Sequence, residues 1–275
     1  MIEYADLHLH TNYSDSTLTP SQVVFQAKQF QIGCIAITDH DTVDGMEEAV
    51  AAGQAHGVEI IPGIELSCEA GNREIHILGF FFDYQHPDFH QHLLRMQDSR
   101  VARMGRMLEK LNGIKAGGDI SLEEVCARGG TTAVGRMHLA MIMKEKGLVK
   151  NVQTAFDRYL AEGGPAYVAK YRQTPAQAIA LIKKFGGVAV LAHPMLTRVD
   201  EMIPAMVRDG LGGLEVYYPN VSSTIIEYYE GIGRKHNLLL TGGSDAHGAG
   251  KDNTAIGKIR LPYRFVEAMK QTLEA

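Results

Sequence analysis

The sequence predicts an α/β chain in which strands and helices alternate, interrupted by one long helical stretch. Three observations carry this. Short β-branched apolar runs recur between amphipathic stretches, the pattern of a mostly parallel sheet with right-handed crossovers. From about residue 87 to 169 that alternation stops and helical periodicity takes over. The 275 residues, 45% of them hydrophobic and 21% charged, suffice for a large core and show no compositional sign of disorder. Seven strands suggest a barrel; pattern alone leaves an open doubly wound sheet standing beside it.

The expected strands are 3–8, 34–38, 58–61, 74–82, 188–192, 213–216 and 238–241. Helices are expected at 20–31, 43–56, 175–185 and 222–236. Thr19-Pro20 and Thr174-Pro175 each read as an N-cap followed by proline at the first helical position. Within the interruption, helices are expected at 87–111, 134–146 and 152–160. Another begins at the capping box of Ser121 and Glu124, and Gly163-Gly164-Pro165 ends the run. The core is therefore expected to comprise 1–86 and 170–275, with 87–169 as a helical insertion lying over one end of it.

Composition excludes several functions. A net charge of -5 gives no basic excess for general duplex nucleic-acid binding. No apolar run approaches the ~20 residues of a membrane span. The first residues, with Glu3 and Asp6, lack a basic-then-apolar leader pattern. Cys34, Cys68 and Cys126 are few, odd in number and far apart, which suggests reduced thiols and a cytoplasmic protein. No obligate protein partner is evident.

Histidine is the anomaly, with 12 copies. His56, His86, His90, His92, His138 and His236 show no partner pattern. The rest sit in short acidic or glycine-rich contexts. Asp6, His8 and His10 end the first strand at alternate positions, which share a face, and Asp15 follows in the next loop. Asp39, His40 and Asp41 follow the second strand, Glu65 the third. His76 lies in the fourth, His193 follows the fifth, Glu215 ends the sixth, and Asp245 and His247 follow the seventh. In parallel barrels the carboxyl ends of strands carry the chemistry.

Each piece alone has an ordinary reading. Asp-His-Asp after a strand can be a helix N-cap, His193-Pro194 a loop, Gly243-Ser244 a turn, Glu65 an ion-pair partner. Their coincidence at the ends of one sheet points to metal. Imidazole and carboxylate suit Mn²⁺, Fe²⁺ or Zn²⁺. His8, His10, Asp15, His40, Glu65, His76, His193, Asp245 and His247 make nine candidate ligands. That exceeds one ion and implies two or three, with a bridging carboxylate. Asp39, Asp41 and Glu215, with Asp6, read as groups that orient ligating histidines.

At these residues the sequence resembles the PHP (polymerase and histidinol phosphatase) family of metal phosphoesterases. The matching motifs are Asp6-Leu7-His8-Leu9-His10, Thr38-Asp39-His40-Asp41, Gly63-Ile64-Glu65, His76, Ala192-His193-Pro194 and Gly243-Ser244-Asp245-Ala246-His247. The resemblance implies a distorted (β/α)7 barrel with a trinuclear centre and the insertion over the metal-binding face. It assigns His8, His10, Glu65 and Asp245 to one ion. Glu65, His76 and His193 go to a second, and Asp15, His40 and His247 to a third. It places Glu65, Asp245 and His193 at the reaction. Within the family the chain looks like the branch that removes the 3′-phosphate from nucleoside 3′,5′-bisphosphates, whose relatives also trim short RNA from the 5′ end. That likeness includes Gly135-Arg136-Met137-His138 and Arg158-Tyr159-Leu160.

The implied substrate is thus a small phosphorylated nucleotide or short oligonucleotide. Its second phosphate needs donors away from the metals. Arg136 and His138 are the first candidates, Lys170 and Arg172 the next, and Arg198 a weaker one. Tyr217 or Tyr218 could stack on a base. The competing enzyme classes are a histidinol-phosphate-type phosphatase and an amidohydrolase. The latter would lead one to expect a metal-bridging lysine at mid-barrel, where Glu65 and His76 stand instead. A degenerate metal domain serving as a binding module would have lost ligands, and none is lost here.

Overall fold

A computed structural model describes residues 2–71, 73–129, 134–168, 173–248 and 255–274. The chain divides into two units, Met1–His90 with Arg172–Ala275, and Gln91–Tyr171. The first unit begins with β1 (Tyr4–Leu9), α1 (Pro20–Gln29), β2 (Cys34–Ile37), α2 (Met46–His56), β3 (Glu59–Ala70) and β4 (Arg73–Phe80). Helix α3 (Pro87–Gly113) runs across the boundary. The second unit adds α4 (Leu122–Gly129), α5 (Arg136–Glu145) and α6 (Val152–Ala155), the last continued by a π turn at Phe156–Leu160. The first unit resumes with α7 (Pro175–Lys184), β5 (Val188–Leu191), α8 (Pro194–Thr197), a 3₁₀ turn at Asp200–Met202 and α9 (Ile203–Asp209). It closes with β6 (Gly213–Tyr217), α10 (Ser223–His236), β7 (Leu239–Gly242), β8 (Leu261–Pro262) and α11 (Arg264–Glu274).

The described strands form one sheet in the order β7-β6-β5-β4-β3-β2-β1-β8. The chain just past β7 folds back on β1: the Asp245 N–H donates to the His8 carbonyl at 2.8 Å and the His10 N–H to the Ala246 carbonyl at 3.1 Å. The sheet is thereby nearly closed into a barrel with helices around it. Gly243 allows the approach, since a Cβ there would lie 2.3 Å from the His8 Cβ.

Two expectations need correction. The sheet is mixed, with β3–β4 and β4–β5 antiparallel. Strand β3 runs to Ala70, Gly71 turns the chain at a φ of 62°, and β4 returns alongside, so the two form a hairpin. Glu65 consequently lies inside a paired strand, not past the end of a short one, while His76 lies within β4 as expected. The second correction is the addition of β8, which pairs antiparallel with β1 through Tyr4 and Ala5.

The caps are where the sequence places them. The Thr19 and Thr174 hydroxyls accept from the Gln22 and Gln177 N–H groups, each completing a capping box ahead of a proline, worth about 1 kcal/mol apiece. Ser121 accepts from the Glu124 N–H at the start of α4. One core cluster joins Leu7, Ala36, Ile61, Leu78 and Val190 of the sheet to Val266 and Met269 of α11. The second unit buries its own cluster, with Met104, Leu111, Val125, Leu139, Ile142 and Leu160.

Candidate metal centre

Glu65 is 1% exposed and faces five imidazoles. Its Oε1 lies 2.7 Å from His76 Nδ1 and 3.1 Å from His193 Nε2. Its Oε2 lies 3.2 Å from both His8 Nε2 and His10 Nε2 and 3.3 Å from His40 Nδ1. Asp245 Oδ1 stands 3.2 Å from His10 Nε2 and 3.6 Å from His8 Nε2. On the outer side, Asp15 lies 3.2 Å from His247 Nε2, 3.6 Å from His10 Nδ1 and 3.8 Å from His40 Nε2. All nine candidate ligands are therefore drawn together. Most of them, together with Leu196, line a cavity of about 270 Å³.

Local backbone geometry aims these side chains. Residues 39–41 continue β2 along β3: Glu65 N–H donates to Asp39, Asp41 N–H donates to Glu65, and His40 pairs with Glu65. Asp41, His193 and Asp245 have φ of 53°, 28° and 50°. Non-glycine residues adopt that region at a cost of about 1–3 kcal/mol each, and such strain gathers at functional sites.

The supporting carboxylates divide the work. Glu215 accepts from His8 Nδ1 at 2.9 Å and from the His193 backbone N–H at 2.8 Å. Asp6 accepts from the Ser244 N–H at 2.8 Å and so holds the Asp245 loop; burial lifts its pKa to about 6, against its hydrogen bonds from Ser244. Asp39 accepts from the Thr11 N–H and hydroxyl and from the Ser14 hydroxyl. It braces the loop leading to Asp15, where the sequence suggested an imidazole. Asp41 accepts from the Ser67 N–H on β3.

The donors fit divalent ions. Both ring nitrogens of His10, and Nδ1 of His40 and His76, are buried beside carboxylate oxygens without a well-aligned hydrogen bond, and Nδ1 of His193 is buried with no hydrogen-bond partner among the described residues. Buried nitrogens so poorly satisfied are costly unless something else meets them. Three groups could each hold an ion: His10, Asp15, His40 and His247; His8, His10 and Glu65; and His40, Glu65 and His76.

Electrostatics agree. Burial resists charge on His10, but Asp245 and Glu65 outweigh it and lift the pKa to about 9. Burial likewise opposes charge on His76, yet Glu65 and Glu74 raise it to about 9. His8 moves up too, against burial, through Glu215, Glu65 and Asp245. His40 goes the other way, to about 3, because burial and its cationic neighbours prevail over Glu65. Glu65 is held well below the carboxylate range, its burial outweighed by His40, His76 and His8. Without ions, the raised histidines contribute stability in full below their unfolded pKa of about 6.5 and lose it as pH rises through about 9. The melting temperature of chelator-treated protein is therefore expected to fall across that window. Thermal unfolding at a series of pH values checks this, and a flat profile would contradict the pairing.

The expected substrate residues fare differently. Arg136 donates to the Leu160 carbonyl at 3.2 Å and lies over the rings of Phe156 and Tyr167, which gives it a job inside the helical unit. His138 Nδ1 accepts from the Gly135 N–H at 3.2 Å, at the start of α5. Lys170 and Arg172 lie outside the described residues. Arg198 is exposed and caps α8. Tyr217 donates to Glu230 and Tyr218 to Asp245, so both hydroxyls have partners within the first unit. The Tyr218 bond is a feature of the site that no motif announces.

The PHP domain profile matches residues 6–239. The chain is 34% identical over 251 residues to the 5′-3′ exoribonuclease Rnm of Escherichia coli K12, covering 88% of this chain and 84% of that protein. It is 29% identical over 263 residues to the 3′,5′-nucleoside bisphosphate phosphatase of Chromobacterium violaceum, covering 92% and 90%. A solved candidate metal-dependent phosphoesterase from Bifidobacterium adolescentis superposes with a TM-score of 0.80 at 32% identity, over 96% of this chain and 94% of that one. The likenesses run nearly end to end, and the matched span holds most of the histidines and carboxylates that converge at these strand ends: this chain belongs to the PHP domain family.

Proposed function

We propose that the chain is a hydrolase of phosphate esters that works with divalent ions and removes the 3′-phosphate of nucleoside 3′,5′-bisphosphates. The observation that carries the metal reading is Glu65, one buried carboxylate facing five imidazoles with Asp245 and Asp15 on its flanks. Two or three ions of Mn²⁺, Fe²⁺ or Zn²⁺ suit such a donor set. His8, His10, Glu65 and Asp245 would hold one, Glu65, His76 and His193 a second, and Asp15, His40 and His247 a third. His10 and His40 each stand within reach of two groups, which supports close spacing.

When bound, such ions polarise a phosphate and lower the pKa of a water beside it. The chain's part is to fix charge before the substrate arrives. Glu65 shares its two oxygens among five rings, so it balances the added positive charge. Glu215 fixes the tautomer of His8 by accepting a hydrogen bond from its Nδ1–H. His193 and Asp245 border the cavity where the phosphate would react. At about 270 Å³ the cavity is smaller than the roughly 300–1,000 Å³ of sites that enclose a whole drug-sized ligand. It suits the reacting phosphate and its ester neighbours. The free thiols Cys34, Cys68 and Cys126 support a reducing, cytoplasmic setting, and among the described residues no helix is long and apolar enough to cross a membrane.

The Escherichia coli relative supports a second reading equally well: stepwise hydrolysis of short RNA from the 5′ end. One experiment separates them. Purified protein with Mn²⁺ is expected to release inorganic phosphate from adenosine 3′,5′-bisphosphate and leave the 5′-monophosphate. If that substrate stays intact while short RNA is shortened from its 5′ end, the exonuclease reading replaces this one.

A further inference from the structure

Strand β6 ends at Tyr217, and the next residue reaches the centre. Tyr218 is 8% exposed, and its hydroxyl donates to Asp245 Oδ2 at 2.6 Å. The other oxygen, Oδ1, faces His10 Nε2 at 3.2 Å, His247 Nδ1 at 3.5 Å and His8 Nε2 at 3.6 Å. The two oxygens of one carboxylate thus have different surroundings. An unrestrained carboxylate can grip an ion through one oxygen or through both. Here its freedom is limited from two directions. The Asp245 N–H is tied to the His8 carbonyl at 2.8 Å, and Tyr218 holds Oδ2. The same ring stands edge-on to His193, with centroids 5.9 Å apart.

We propose that Tyr218 is a positioning residue that commits Asp245 to offer a single oxygen, Oδ1, to the ion held with His8 and His10. The inference deepens the metal reading above and rests on it. Without the Tyr218 bond the carboxylate is free to turn, Oδ1 leaves the line to the ion, and the grip on the ion weakens. The phenol acts through Asp245 and need not touch the reacting atoms.

Tyr218→Phe removes the hydroxyl and keeps the ring beside His193. Wild type and variant are loaded with Mn²⁺ and titrated with a chromophoric chelator, and kcat and KM are measured on the loaded proteins. One class of ion is expected to be held about 10–100-fold less tightly in the variant, with kcat falling and KM moving less than about threefold. In an Asp245→Ala background, adding Tyr218→Phe should cost no further ion affinity, because the partner is gone. Equal ion affinity in wild type and Tyr218→Phe overturns this inference and leaves the metal reading standing. An undiminished loss in the Asp245→Ala background overturns it as well, since the tyrosine would then act elsewhere. A wild type that takes up no ion overturns the metal reading and this inference together.

Discussion

Replacing Glu65 with glutamine is expected to lower kcat far more than replacing His247 with alanine. Both are candidate ligands, but their surroundings differ. Glu65 is 1% exposed and lies within 3.3 Å of nitrogens from His8, His10, His40, His76 and His193. Removing its charge leaves several cationic partners uncompensated in a buried place, a loss of about 3–5 kcal/mol. That is roughly 10² to 4 × 10³ in ion affinity, at about 1.4 kcal/mol per factor of ten. His247 meets Asp15, which is 47% exposed, so solvent and the remaining outer ligands soften its loss. Steady-state kinetics of both variants at saturating Mn²⁺, with ion content measured alongside, decides the matter. Equal losses, or a worse His247 variant, would count against Glu65 as the shared ligand.

Stripping the ions should abolish nearly all turnover, and pH should govern their return. The several kcal/mol of charge stabilisation that bound ions supply correspond to a loss of at least about a thousandfold. In the stripped protein His10 and His76 titrate near about 9, so at neutral pH each incoming ion must displace protons. Apparent ion affinity is therefore expected to climb with pH up to about 9, and the rate at limiting Mn²⁺ to climb with it. Dialysis against a chelator, followed by Mn²⁺ titration at several pH values with proton release recorded, tests both halves. Full activity in the presence of chelator, or uptake without proton release, would refute the scheme.

The parts of the site that were legible in the sequence share a physical cause. Histidine and carboxylate are uncommon partners at strand ends, so Asp6-Leu7-His8-Leu9-His10 and Asp245-Ala246-His247 stand out from the apolar strands they adjoin. Helix starts were legible because a threonine cap and a following proline act within one turn of chain. The hairpin between β3 and β4 was also written locally, in Gly71 between two strand-like runs. Residues 62–73 were expected to be neither strand nor helix, and the expected strand 58–61 is eight residues shorter than β3 (Glu59–Ala70). The two-residue β8 is too short for any periodicity to reveal.

What the sequence alone determined was the cast: which residues could hold ions, which loops follow which strands, and which helices are capped. Those properties depend on residue type and on neighbours a few positions away. Only the tertiary structure decided the pairings between distant segments. It placed Glu215 on His8, 207 positions apart, and Asp6 on the Ser244 N–H, 238 apart. It turned Asp39 toward Thr11 and Ser14, gave Arg136 a place between Phe156 and Tyr167, and set Tyr218 on Asp245. A carboxylate carries the same charge wherever it stands. Which donor it meets depends on how the sheet closes, and closure depends on β1 bonding to the chain past β7, a contact between the two ends of the barrel that no local pattern encodes.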